Sequence, residues 1–250
     1  MNTTATLPLL LKQLRLPSLY AHWKDYAKQA EKSNWCHATY LSKLIELEVN
    51  SRYQSRIHRY TKESHLVAGK SLATFELGVI DKKQAAQIRA LADDTGWVQQ
   101  AENLILFGPS GVGKTHIALA IGHEMISQGV RVLFTSTTAL VQKLQLAKKG
   151  YQLQEALDKL DRFRLLILDD IGYVKKDEAE TSVLFELIAN RYENGSLLIT
   201  ANQPFSEWDS VFPDNMMAVA AIDRLIHHAR IFNIEVESYR KTNANRKERT

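Results

Sequence analysis

Between Asn103 and Gly122 the chain reads NLILFGPSGVGKTHIALAIG, and no other stretch restricts the fold so tightly. An apolar run predicts a buried strand, a glycine-rich segment a loop, and an alanine- and isoleucine-rich segment a helix. The order strand, loop, helix is the context that G-x-x-x-x-G-K-[ST] requires of a phosphate loop. In that reading Gly108, Pro109, Ser110, Gly111, Val112 and Gly113 shape the turn, whose backbone N–H groups face a bound anion at the positive end of the next helix. Lys114 reaches the β and γ phosphates, Thr115 offers its hydroxyl to Mg2+, and His116 closes the motif.

The texture downstream repeats the same alternation. VRVLFTS, RLLILDD and SLLITAN read as apolar strands, with helices predicted to about Gln128, to about Lys149 and from about Glu178 to Asn194. Strands alternating with helices predict an α/β fold, a parallel sheet covered on both faces. Asp169 stands at the carboxyl end of its strand, where such sheets place their ligands, and is the expected Mg2+ carboxylate. Asp170 follows as a group to orient or deprotonate an attacking water. Asn202 ends the next strand, where its amide either holds that water in line with a γ phosphate or simply begins a turn before Pro204. Further on, AAIDRLIHHARIFNIEV puts Asp223 and Arg224 at the start of a short helix. An arginine there either completes a neighbouring subunit's site or is a surface residue. His227 and His228 read as packing or solvent contacts rather than metal ligands.

The first sixty-odd residues differ. Leu7, Leu10, Leu11 and Leu14 recur at helical spacing, Pro17 interrupts, Leu19, Trp23 and Tyr26 restart the pattern, and a third helix carries Leu41, Leu44, Ile45, Val49 and Ile57. Its Arg52, Arg56 and Arg59 project together, and Lys24, Lys28 and Lys32 make a second stripe. Each stripe is either a solvated face or a set of phosphate contacts, and the chain's net charge of +4 leans only mildly toward polyanions. Residues 66–100, with Gly69, Gly78 and Gly96, read as a linker. The expected organisation is therefore 1–65 helical and basic, 66–100 linker, and 101–250 nucleotide-binding. Phe75 and Trp97 are weak candidates for stacking on a base and more often core residues. The one cysteine, Cys36, permits no internal disulfide. With no apolar run of spanning length and no signal peptide at the amino terminus, the expected setting is cytoplasmic, away from membranes.

At GPSGVGKTH, LLILDDIG, LLITANQPFSEW and AAIDRLIHHA the sequence resembles the AAA+ ATPases, and within them the IstB-like transposition helpers, relatives of DnaC-like helicase loaders. The resemblance implies Walker A roles for Lys114 and Thr115, a Walker B role for Asp169 with Asp170, a sensor role for Asn202, and an arginine-finger role for Arg224. It implies ATP and Mg2+, a homo-oligomer with shared sites, duplex DNA bound largely without regard to sequence, and a transposase partner. Many AAA+ members carry glutamate where Asp170 stands, one methylene shorter, so slow hydrolysis is expected. The chain ends soon after IFNIEV, so no carboxyl-terminal lid domain is expected. A DnaC-like replicative helicase loader is the alternative, distinguished by preference for single strands. A small-molecule phosphotransferase lacks an evident acceptor pocket, and a GTPase lacks an Asn-Lys-x-Asp motif.

Overall fold

Strands β1 (Asn103–Phe107), β3 (Leu165–Asp169) and β4 (Ser196–Ala201) are the apolar runs of the sequence, and their residues are buried except Asp169 at the end of β3. A parallel strand covered on both faces reads as a near-continuous apolar run. The computed structural model describes residues 3–73, 80–171, 178–203 and 215–235. Among them, β2 (Val132–Ser136) and β5 (Ala229–Asn233) complete one parallel five-stranded sheet in the order β2-β3-β4-β1-β5. The edge strands are less buried, as strands with one neighbour are. The loops after β1, β3 and β4 therefore open side by side at the carboxyl edge, the usual ligand position of open α/β sheets.

Helices α6 (Lys114–Ser127), α7 (Thr137–Lys149), α8 (Leu153–Asp161), α9 (Glu178–Arg191) and α10 (Asn215–His227) cover the sheet. Leu140, Val141 and Leu144 of α7, Leu184 and Leu187 of α9, and Leu225 of α10 pack with Leu166, Leu168, Leu197 and Ile199 in one cluster. Buried Arg191 closes α9, donating to the carbonyls of Phe163 (2.8 Å), Arg164 (3.0 Å) and Ser196 (3.1 Å). Burial pushes its guanidinium down to about 10.

The amino-terminal helices are α1 (Thr3–Gln13), α2 (Pro17–Lys32) and α3 (His37–Glu63). Two compact units divide within α3, at Met1–Arg59 and Tyr60–Thr250. The first unit's core is small: Leu11, Leu19 and Leu44, with Leu7, Leu16, Trp23, Tyr26 and Tyr40 against them. Glu48 caps α2 from α3, accepting from the Ser18 and Leu19 amides at 2.9 and 3.3 Å. These amides lie in the first turn of α2, where no intrahelical acceptor exists, and the preceding Leu16 supplies no side-chain cap.

Three expectations need correction. Residues 66–100 are not simply a linker: α4 (Lys82–Asp93) and α5 (Gly96–Gln99) occupy much of it, with Ile88, Leu91, Ala92, Trp97 and Val98 buried in the second unit. Periodicity also overstates the core of α3, where Leu44 is buried but Leu41, Ile45 and Val49 are exposed. Finally, Asp223 and Arg224 close α10 rather than open a helix, and IFN belongs to β5. Phe75, Gly78, Gly172, the segment 204–208 and the chain after 235 lie outside the described residues.

Candidate functional site

The turn after β1 is held by the end of β5. Ile234 N donates to Phe107 O at 2.8 Å, and a Cβ on Gly108 would lie 2.3 Å from Ile234 O, so only glycine fits there. Gly108, Gly111 and Gly113 have φ of +145°, +88° and +99°, conformations that L side chains rarely adopt. Pro109 and Ser110 are exposed, whereas Val112 is buried at 2% exposure, so its contribution to the cradle is backbone.

Lys114 begins α6 and is itself buried. A buried ammonium requires acceptors, and Nζ donates to Gly108 O at 2.7 Å, Pro109 O at 2.8 Å and Asn202 Oδ1 at 2.7 Å. Asn202 Nδ2 in turn donates to Asp170 Oδ1 at 3.2 Å. The two contacts fix the amide's orientation, since an ammonium can only donate and a carboxylate only accept. Asn202 thus links the phosphate-loop lysine to Asp170, the residue that follows β3.

Thr115 Oγ1 donates to Asp169 Oδ1 at 2.9 Å. Two adjacent oxygen ligands of an octahedral Mg2+ with bonds near 2.0–2.1 Å stand about 2.9 Å apart, so this hydroxyl and carboxylate are spaced to share the cation. Thr200 Oγ1 donates to the same Oδ1 at 2.6 Å, and Thr137 Oγ1 donates to Asp169 O at 3.0 Å. Asp170 has φ +56°, turned away from the extended path of the strand, and its amide donates to Thr200 Oγ1 at 2.9 Å. Sequence reading missed both threonines. A signal existed for Thr200, which lies two residues before Asn202 and hence on the same face of β4; Thr137 gave none.

Arg224 lies elsewhere. Its Nη1 donates to Ala220 O at 3.1 Å and its guanidinium stands 5.2 Å from the centre of the Phe185 ring. The carbonyl of the next residue, Leu225, accepts from Asn103 Nδ2 at 3.0 Å, which sets this turn level with the amino end of β1. The phosphate loop follows the other end, about 13 Å along the strand. His116 turns from the loop toward Ser71 O at 3.1 Å. Trp97 is core, with Nε1 donating to Leu91 O at 2.9 Å. His227 Nδ1 meets Tyr192 OH at 2.9 Å.

In the first unit Arg52 is tied down, with Nε donating to Glu48 Oε1 at 2.8 Å and its other end to Arg15 O. Lys24 lies over Trp23 at 5.6 Å and Arg56 over Tyr53 at 5.2 Å. Lys24, Lys28, Arg56 and Arg59 are exposed.

Comparison with known proteins agrees with this geometry. A family model described as IstB-like ATP binding protein matches residues 9–247. An insertion sequence ATP-binding protein of Sinorhizobium fredii is 51% identical over 240 residues, covering 96% of this chain and 80% of the relative. The insertion sequence IS21 ATP-binding protein of Pseudomonas aeruginosa is 37% identical, covering 94% and 88%. Among solved structures, the DnaC helicase loader aligns with a TM-score of 0.58 at 18% identity, covering 71% of this chain and 99% of that one. AMPPCP-bound DnaA from Aquifex aeolicus gives 0.58 at 18%, covering 75% and 57%. At those identities the likeness is one of fold, and the fold is that of an AAA+ P-loop domain. Among the described residues no helix is long and apolar enough to cross a membrane.

Proposed function

We propose that this chain, which belongs to the IstB-like ATP binding protein family, is a Mg2+-dependent ATPase that assembles on duplex DNA in the cytoplasm and stimulates or directs a transposase. ATP binding favours the assembled form and hydrolysis controls its disassembly. The relatives' names supply the insertion-sequence setting. The observation that carries the ATPase reading is the chain of contacts Lys114–Asn202–Asp170 beside Thr115–Asp169.

When ATP enters the cradle, Lys114 exchanges its carbonyl and amide acceptors for β- and γ-phosphate oxygens. Thr115 and Asp169 would hold Mg2+, which would supply charge neutralisation to the phosphates. Release of Lys114 frees Asn202 to orient a water, and Asp170 accepts hydrogen bonding from it on the other side. The attacking water is thus placed by two groups already 3.2 Å apart. The carboxylate of Asp170 is one methylene short of glutamate and turnover is slow.

Arg224 is too far along β1 to serve its own phosphate loop, so it acts on the site of the next subunit. That makes hydrolysis depend on assembly. Lys114→Ala and Arg224→Ala chains should each be inactive alone. Mixed in equal amounts they should regain about a quarter of wild-type ATPase activity, because a quarter of the shared sites then pair an intact lysine with an intact arginine. A mixture as inactive as its components would contradict the shared site.

A further inference from the structure

The hydroxyl of Thr200 sits between the two aspartates and serves them in opposite senses. Its single proton goes to Asp169 Oδ1 at 2.6 Å, and its lone pair receives the Asp170 amide at 2.9 Å. The direction is forced: a backbone N–H cannot accept, so the hydroxyl proton is left for the carboxylate. Thr200 is fully buried in β4, so no water substitutes for either contact without opening the sheet. The carbonyl of the same residue accepts from Ile171 N at 3.0 Å, so one residue of β4 holds both amides of the turn that follows β3.

Two consequences for the site follow from these contacts. Asp169 Oδ1 receives the hydroxyls of Thr115 and Thr200 together, which fixes the rotation of the carboxylate and sets which oxygen faces the loop. Asp170 departs from the strand with φ +56°, a conformation in which a non-glycine residue needs support, and in that conformation its Oδ1 meets Asn202 Nδ2 at 3.2 Å. Without the acceptor on Thr200 the turn loses the bond that holds it there. We infer that Thr200 is a positioning residue for nucleotide hydrolysis: its hydroxyl aims the Mg2+ carboxylate of Asp169 and holds the turn that brings Asp170 to Asn202.

The inference rests on the ATPase reading, and the test separates the two. Full-length wild type, Thr200→Val and Thr200→Ser are compared in two assays: binding of a fluorescent ATP analogue in EDTA, which reads the phosphate loop alone, and ATP hydrolysis across a Mg2+ titration. Valine keeps the shape and removes the hydroxyl; serine keeps the hydroxyl and removes a methyl. Thr200→Val should bind the analogue within about twofold of wild type. It should also lose roughly 10- to 100-fold in turnover or in the Mg2+ concentration needed for half-maximal rate, the usual scale for a group that orients a metal ligand. Thr200→Ser should recover most of that loss. Wild type that hydrolyses ATP while Thr200→Val matches it in rate and Mg2+ dependence would overturn the inference and leave the ATPase reading standing. Thr200→Ser as impaired as Thr200→Val, or Thr200→Val that no longer binds the analogue, would also overturn it, because both outcomes assign the threonine to packing. A wild-type chain with no hydrolysis at any Mg2+ concentration would overturn the ATPase reading and the inference with it.

Discussion

A carboxylate inside a three-helix unit is costly unless donors surround it, and Glu48 has the Ser18 and Leu19 amides and the Arg52 guanidinium. Burial pushes its carboxyl up, but those donors outweigh burial and hold it below the usual carboxylate range. Arg52 is half exposed, so solvent screens its share and the two amides carry more of the stabilisation. A folded-state value below the unfolded one gives stability that is fully present above the unfolded value, about 4.3, and is lost as pH falls through the folded value. Glu48→Gln should therefore be less stable than wild type by about 1–2 kcal/mol at pH 7, and the gap should be smaller at pH 3. Urea unfolding at the two pH values checks this; an equal gap at both would contradict it. The same contacts explain why the stripe of Arg52, Arg56 and Arg59 was only partly legible. Spacing shows which side chains share a helix face, but not that one of them is already committed to a buried acid. At the phosphate loop the opposite holds: the contacts of Lys114 with Asn202 and of Thr115 with Asp169 join residues that the motifs themselves single out. Thr200 was hidden because threonine in a strand is also what β propensity favours.

At the scale of elements, what was legible followed burial. β1, β3 and β4 are covered on both faces and read as largely apolar runs. β5 has Phe232 as its one buried residue, and ARIFN gave no such signal. The amphipathic α8, with Leu157 and Leu160 buried, is short and shows fewer turns of its pattern than the longer α7 and α9. The segment holding α4 and α5 was punctuated by glycines and read as linker, yet Asp81 caps α4 through the Lys83 and Gln84 amides, and Trp97 is 2% exposed. These two readings differ in what a core truncation does. Trp97→Ala should destabilise the chain by about 3–5 kcal/mol, seen as a lower urea midpoint. A loss under about 1 kcal/mol, ordinary for a surface or linker residue, would contradict the packing described.

For the molecule as a whole, the proposal joins a nucleotide site at the carboxyl edge of the sheet to cationic side chains on a separate helical unit. Lys24 and Lys28 are exposed, and Lys24 lies over the Trp23 ring. If they contact phosphates, Lys24→Ala with Lys28→Ala should weaken binding to all duplex sequences alike and reduce the slope of log affinity against log salt by about two. An unchanged slope would move the DNA contacts to other residues. The central claim is that ATP controls assembly on duplex DNA. Its most direct measurement is sedimentation of the chain on random-sequence duplex and on single strands, with ADP or a slowly hydrolysed ATP analogue, for wild type and Lys114→Ala. Cooperative assembly on duplex with the analogue alone, lost in Lys114→Ala, is the expected result; assembly on single strands in preference to duplex, or binding indifferent to nucleotide, would rule out ATP control of assembly on duplex.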